Sequence, residues 1–207
     1  MATQTLMQNG GGAFTEQNGW PTRGQWRYAD YLRLPDDGNR YEIIEGVLYV
    51  AGSPSIEHQL VVTNLLFNIY LFAGERELGI VLPAPLEVHL SETSKPVQPD
   101  VVFIKAKRLP PLGAQFFEGA PDLIIEVISP SSIRLDRHVK FDVYERSGVA
   151  EYWLADPKAR LVEVYTLSSG EYALLGQYTG DEMIESKVLA GLQIKTSTLF
   201  QTPTANR

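Results

Sequence analysis

The sequence predicts an α/β fold: a mixed β-sheet flanked by helices, with one β-hairpin towards the N-terminus and another towards the C-terminus. Three observations carry this reading. Residues 59–74 contain no charged side chain and read as a helix that is apolar over most of its surface. Short runs rich in Val, Ile and Leu follow at 80–90, 100–104 and 122–128 and read as strands. A second helical pattern then separates 122–128 from a further strand at 151–155. The order helix, three strands, helix, strand packs helices onto a sheet.

Each element has its own local signal. Residues 26–34 read as a short helix, stopped by Pro35 and followed by the turn Asp36-Asp37-Gly38-Asn39. Residues 41–44 and 47–50 flank Glu45-Gly46, a tight hairpin. Ser53-Pro54 reads as an N-cap with Pro at the first helical position, leading into a helix over 55–73 that needs a sheet or a second subunit to cover it. The run 80–90 is interrupted by Pro83 and Pro85, and 100–104 is entered through Gln98-Pro99. Leu123-Ile124-Ile125 points to a strand buried on both faces. Ser131 or Ser132 caps a helix over 132–146 that ends at Ser147-Gly148. Strand 151–155 closes at Asp156-Pro157, and 161–167 pairs with 172–178 across Ser168-Ser169-Gly170. There is no internal repeat.

A chain of 207 residues, 44% hydrophobic and 21% charged, suits one domain with a real core. That domain is expected over 26–207, after a loose Gly-, Gln- and Thr-rich arm, 1–25, that lacks the pattern of a signal peptide. The chain has no cysteine, which excludes disulfides and Cys-ligated zinc or iron–sulfur sites and fits a cytoplasmic location. The run 59–74 contains Thr63, Asn64 and Asn68 and is too short and too polar to span a bilayer, so no membrane association is expected. A net charge of −7 argues against a strongly basic nucleic-acid binder. The charge is uneven: residues 95–160 hold 10 Lys+Arg against 9 Asp+Glu, and the remainder 8 against 16. Contact with a polyanion is expected from the middle stretch.

Candidate chemistry converges on three residues. Asp100 opens one predicted strand and Glu126 lies inside another. If the two strands pair, their carboxylates reach one point at the sheet edge, where two carboxylates and a backbone carbonyl suit a hard cation such as Mg²⁺ or Mn²⁺. Glu126 stands between Ile125 and Val127, where an unpaired ionised carboxylate costs several kcal/mol; a metal or a paired Arg or Lys would each account for it. In the helix after Ser132, Leu135, Val139 and Val143 form an apolar row, and Asp136, Lys140 and Tyr144 the row bordering it. Lys140 could therefore lean over a strand-edge site, or simply pair with Asp136. Further candidates are Glu45 as a supporting carboxylate, His58 and Gln98 as partners of a phosphate or bound water, and Asp122 as a catalytic or edge-capping acid. Lys105, Lys107 and Arg108 could meet a DNA backbone or form a solvated loop.

Four segments in order resemble the Uma-two family of restriction-endonuclease-like nucleases, abundant in cyanobacteria. They are Val97-Gln98-Pro99-Asp100-Val101-Val102, the run from Gly119 to Pro130, Asp136-Arg137-His138-Val139-Lys140, and Gly148-Val149-Ala150-Glu151-Tyr152-Trp153. The similarity extends over about 41–200 and implies a restriction-endonuclease-like core of the PD-(D/E)XK superfamily. Asp100 and Glu126 match that motif's acidic positions. Ile128 stands where its Lys would be, and the resemblance implies that this role moves to Lys140.

The expected activity is magnesium-dependent hydrolysis of DNA phosphodiesters. Asp100, Glu126 and the carbonyl of Val127 would hold Mg²⁺ (or Mn²⁺), and Lys140 would orient or deprotonate the attacking water. The alternative is a non-catalytic binding or assembly module on the same fold. No Gly-x-Ser-x-Gly elbow supports a metal-independent hydrolase. A homodimer is expected, by analogy with nucleases of this fold, through the apolar helix and the Tyr152-Trp153 strand.

Overall fold

The computed structural model describes residues 14–201. Its longest element is α2 (Ile56–Glu75), which contains the uncharged run 59–74. The N-cap is Ser55, whose Oγ accepts the His58 N–H at 3.1 Å, so the helix opens two residues after the Ser53-Pro54 pattern. Ahead of it stand a short helix, α1 (Tyr28–Tyr31), and the hairpin β1 (Arg40–Ile44) and β2 (Val47–Ala51). Glu45 and Gly46 turn that hairpin with φ of 53° and 67°, the left-handed pair that matches strand twist. A Cβ on Gly46 would lie 2.3 Å from the Gly24 carbonyl oxygen, so only glycine fits there.

Six strands build the central sheet in the order β10-β9-β8-β7-β5-β3. They are β3 (Gly79–Pro83), β5 (Val101–Lys105), β7 (Leu123–Val127), β8 (Glu151–Asp156), β9 (Leu161–Ser168) and β10 (Glu171–Thr179). All neighbours are antiparallel except β7 and β8. That parallel pair requires a crossover, which is a π-helical segment, Leu135–Lys140, running directly into α3 (Phe141–Ser147). Gly148, at φ 85°, ends it.

Strand alternation divides the core into two layers. Leu123, Ile125 and Val127 face the side covered by Val61, Leu65 and Ile69 of α2. Ile124 and Ile128 face the side covered by Val143 and Tyr144 of α3. Glu126 shares the second side and is the acidic interruption in β7.

Several local expectations shift. The run 80–90 divides: β3 stays in the large sheet, while β4 (Glu87–His89) leaves it to pair in parallel with β6 (Phe116–Glu118). β6 has no period-2 signal of its own. A small hairpin, β11 (Met183–Ile184) with β12 (Ile194–Lys195), and α4 (Thr196–Leu199) add to the α2 side. Residues 14–25, read as a loose arm, are packed: Phe14 meets Trp20 edge-on at 5.1 Å, and Trp20 stacks on Trp26 at 5.5 Å. The Gly24 and Trp26 N–H groups both donate to the Gly46 carbonyl. Residues 1–13 of that arm lie outside the described residues. Tyr152 and Trp153 are wholly buried within the chain, so they offer nothing to a second subunit. Among the described residues no helix is long and apolar enough to cross a membrane.

One buried acid ties the C-terminal segment to the sheet. Glu151, at the start of β8, accepts from Trp153 Nε1 at 2.8 Å, Ser186 Oγ at 2.6 Å, and the N–H groups of Lys187 and Val188 at 2.7 and 3.1 Å. Replacing it with alanine strands these donors in the core. Glu151→Ala is expected to lose about 3–5 kcal/mol of stability in urea unfolding, because buried donors left without an acceptor carry their full desolvation penalty. A loss under about 1 kcal/mol would mean that water replaces the carboxylate.

Candidate active site

The register of β5 against β7 pairs Val101 with Ile125, so one step further Asp100 stands opposite Glu126. Opposite residues of antiparallel strands share a face. Asp100 Oδ2 accepts the Val127 N–H at 2.8 Å, which bolts the start of β5 to the end of β7. Within an extended residue the N–H and C=O lie on the same side, so the Val127 carbonyl also turns towards Asp100. Both carboxylates are buried.

Three further elements close on this point. From the π-helical segment, Lys140 places its ammonium 2.9 Å from Glu126 Oε1 and 3.9 Å from Asp136 Oδ1. From α3, the Tyr144 hydroxyl donates to the same Glu126 oxygen at 2.7 Å. From β1, Glu42 sets Oε2 3.2 Å from Lys140 Nζ and accepts the Gln98 N–H on Oε1 at 2.7 Å. On the other flank, His58 Nε2 lies 3.2 Å from Asp100 Oδ2, and Arg40 Nη1 lies 3.4 Å from Asp100 Oδ1. The polar row Asp136, Lys140, Tyr144 is thus the buried stripe of its helix, while Leu135 and Val139 are only partly covered. Tyr152 holds this turn by donating to the Asp136 carbonyl at 3.0 Å.

The cluster is electrostatically unbalanced. Four carboxylates, Glu42, Asp100, Glu126 and Asp136, face Lys140, Arg40 and His58. Burial pushes the Glu126 carboxyl up to about 8; Lys140 opposes that shift, while Asp100, Asp136 and Glu42 add to it. Burial likewise raises Asp136, to about 6, against the pull of Lys140. Asp100 goes the other way. Burial alone would raise it, but His58, Arg40 and the Val127 N–H together hold it below the usual aspartate value. Burial also works against the Lys140 charge, and Glu126, Glu42 and Asp136 outweigh it, so the ammonium is held protonated. His58 is raised in the same manner: its burial is overcome mainly by Asp100. The two acids predicted from the sequence are therefore shifted in opposite directions, Asp100 below the ordinary carboxylate range and Glu126 above it.

The donor set has a definite character. Among the described residues no three His, Asp or Glu side chains form a group able to hold a metal by themselves. What converges is Asp100, Glu126 and the side of β7 that carries the Val127 carbonyl. This is an oxygen-only, partial set, suited to a cation that keeps several waters, as Mg²⁺ does. The surplus of buried carboxylate, which also raises Glu126, is what an added divalent charge would relieve.

Not every predicted residue is here. Glu45 sits in the hairpin turn and pairs with Arg146 at 3.2 Å on the surface; its place is taken by Glu42, three residues earlier. The Gln98 side chain donates to the Tyr31 hydroxyl and the Tyr41 carbonyl, at 3.3 and 3.4 Å, and only its backbone serves the site. Asp122 lies at the far end of β7, where it accepts the Lys105 N–H at 3.0 Å and pairs with Arg108 at 3.1 Å. It caps the edge, and it engages two of the cations expected to meet DNA. Lys105, Lys107 and Arg108 follow β5 at the end away from Asp100, roughly 17 Å along the strand at ~3.3 Å per residue. Glu42, Arg40 and Tyr144 were not foreseen. Glu42 had a signal in plain view: like Glu126, it is the one charge within an apolar strand run, Tyr41-Glu42-Ile43-Ile44.

Comparison with known proteins bears on the family and the fold. Two uncharacterised proteins of Synechocystis sp. (strain ATCC 27184 / PCC 6803 / Kazusa), slr1290 and sll1609, are each 26% identical to the chain. The first alignment covers 83% of this chain and 90% of the relative, the second 74% and 87%. A crystal structure described as a putative nuclease belonging to DUF820, from Anabaena variabilis ATCC 29413, superposes with a TM-score of 0.72 at 22% identity. It covers 84% of this chain and 97% of its own, and establishes the shared fold. Residues 28–197 match the family Uma2, described as "Putative restriction endonuclease", and they contain every residue of the cluster above; the chain belongs to that family.

Proposed function

We propose that this protein is a metal-dependent endonuclease that hydrolyses DNA phosphodiester bonds at the Asp100–Glu126 cluster. The observation that carries this reading is the buried excess of carboxylate over fixed cation at the ends of two adjacent interior strands, β5 and β7, with Arg40 and His58 beside it. Asp100, Glu126 and the Val127 carbonyl would hold Mg²⁺ or Mn²⁺. When bound, such an ion supplies Lewis acidity to a phosphoryl oxygen and lowers the pKa of a coordinated water.

The remaining work falls to the chain itself. Lys140, held charged between Glu126 and Glu42, is a fixed ammonium donor. Its role is to orient a water and stabilise developing negative charge, not to deprotonate. Tyr144 and Lys140 together hold Glu126 by one oxygen, which sets the carboxylate's direction. Arg40, the more exposed of the Asp100 partners, and His58, whose pKa Asp100 raises, suit the flanking phosphates of a polyanion. The opposing reading, a non-catalytic module, treats the same cluster as a closed internal ion-pair network.

Calorimetric titration of Mg²⁺ and Mn²⁺ separates the two. Binding to the wild-type chain that vanishes in Glu126→Gln supports the metal centre, and supercoiled DNA nicking should fall at least ~100-fold in Asp100→Asn and Glu126→Gln. Full activity in either folded variant would sink the assignment. Absence of metal binding in all three proteins favours the non-catalytic module.

The proton on Glu126 gives a second test. Its folded pKa, about 8, lies above the ordinary value of 4.5, so between those values the folded state binds more protons than the unfolded one. Stability therefore falls as pH rises through this window. Asp136 adds the same trend below about 6. In metal-free buffer the thermal midpoint should decline from pH 6 to 8 more steeply for wild type than for Glu126→Gln, and added Mg²⁺ should flatten the wild-type curve. Parallel curves for the two proteins would show that Glu126 is already ionised.

A further inference from the structure

The two edges of the central sheet are built differently. The β10 edge is broken by an irregularity between Leu174 and Gly176, and it carries Glu171, Gln177 and Thr179. Such features blunt an edge against further pairing. The β3 edge has no bulge and no charged residue, and its single proline, Pro83, comes last.

The hydrogen-bond phase of β3 is fixed by its neighbours. Ala84 N–H donates to the Asp100 carbonyl and Ala106 N–H to the Leu78 carbonyl, so even-numbered residues of this strand bond towards β5. Gly79, Val81 and Pro83 therefore turn their backbone groups outwards. Among the described residues β3 is hydrogen-bonded in a ladder only to β5. Proline sits at a position whose missing N–H takes nothing from that ladder.

The helix above this edge matches it. From Gln59 to Gly74, α2 has no charged side chain, yet Phe67 and Tyr70 are 59% and 64% exposed and Leu71 is exposed beside them. Phe67, Tyr70, Leu66 and Thr63 form one wall of a cleft of about 280 Å³ whose other wall is Val81 and Pro83 of β3. An exposed apolar stripe without charge, next to an unprotected strand edge, is the pattern of an interaction surface.

We propose that this face binds a second copy of the same chain, with the two β3 strands pairing antiparallel about a two-fold axis at Val81. Val81 of each copy exchanges N–H···O=C bonds with Val81 of the other, and Gly79 N–H meets the Pro83 carbonyl. The two-fold places both α2 helices on one face of the joined sheet, where Phe67 and Tyr70 of each copy meet the cleft of the other. The face itself is self-complementary: an edge strand whose outward groups are symmetric about Val81 pairs with its own image, and the lack of charge over residues 59–74 and on β3 leaves no local repulsion to oppose the approach of a second copy there. The size also fits. A 20-residue helix and the strand below it present on the order of 500 Å² in projection, comparable with the roughly 800 Å² each partner contributes to a standard interface. Each copy keeps a complete Asp100–Glu126 cluster, and strand spacing sets the two clusters roughly 25 Å apart.

Light scattering coupled to size exclusion tests this at about 10 μM chain. The expected mass is twice 23.1 kDa, falling to the single-chain value in Phe67→Glu/Tyr70→Glu with the far-UV spectrum unchanged. Val81→Pro removes an outward N–H without touching the β5 ladder and should also give monomer. A monomeric wild type overturns the proposal. So does a dimer that survives the helix variant, which would place the contact on another face. Dimer loss in the helix variant alone, with Val81→Pro still dimeric, overturns the strand pairing. The readout needs no catalysis, so its result is independent of the nuclease assignment.

Discussion

The structure is organised around a single buried ammonium. Lys140 is almost fully enclosed, and its charge is stable there only because Glu126, Glu42 and Asp136 surround it. Those three acids come from β7, the N-terminal hairpin and the π-helical segment, so one cation fastens the hairpin and the crossover helix to the central sheet. Breaking such a group from one side leaves charge in the core, which typically costs about 3–5 kcal/mol, whereas the intact set contributes little net stability over an apolar replacement. The cluster is therefore expensive to keep for packing alone. Its place in the middle of an otherwise apolar layer is the ground for the proposed site.

The π-helical turn is the geometric means to that end. In a regular α-helix the apolar row Leu135, Val139, Val143 would face the sheet, with Asp136 and Lys140 on its border. The wider π turn rotates the stripe, so Asp136, Lys140 and Tyr144 point inwards and Leu135 and Val139 are left partly covered. Helices of this kind are uncommon and recur at functional sites. The rotation puts an ammonium and a phenol on the same oxygen of Glu126. Ile128, two residues after Glu126, is meanwhile an ordinary core residue.

Much of this was legible in the sequence, and the failures have physical causes. Asp100 and Glu126 followed from β-branched runs and from the difficulty of burying an acid between Ile125 and Val127, while the pairing of their strands, only a condition in the sequence, is supplied by the register of β5 on β7. Both hairpins followed from turn residues able to adopt positive φ. What escaped depended on tertiary context. A π turn has no local signature, so the burial of Asp136 was read one row off. Glu45 and Glu42 differ by three positions on one hairpin, and only the docking of β1 against the 96–98 segment, where Ile43 N–H meets the Pro96 carbonyl, decides which faces inwards. β6 is three residues long and takes its strand geometry from β4. The packing of Phe14 and Trp20 on Trp26 shows the same limit: a polar, glycine-rich composition hid two aromatic anchors.

Charge constrains how such a site could meet a nucleic acid. With a net −7 and a pI near 5.0, the chain as a whole repels a polyanion, so long-range steering does not favour encounter. The cations that the sequence offered for backbone contact do not remedy this, since Lys105 and Arg108 are engaged by Asp122 at the far end of the strand. For the proposed function, attraction has to arise within a few ångströms of the cluster, from Arg40, from His58, whose pKa Asp100 raises, and from a divalent ion held there. Each of these is bound to Asp100 or stands beside it. The residue that would hold the metal thus also holds the cations that would hold the phosphate, and its low pKa is the condition for both.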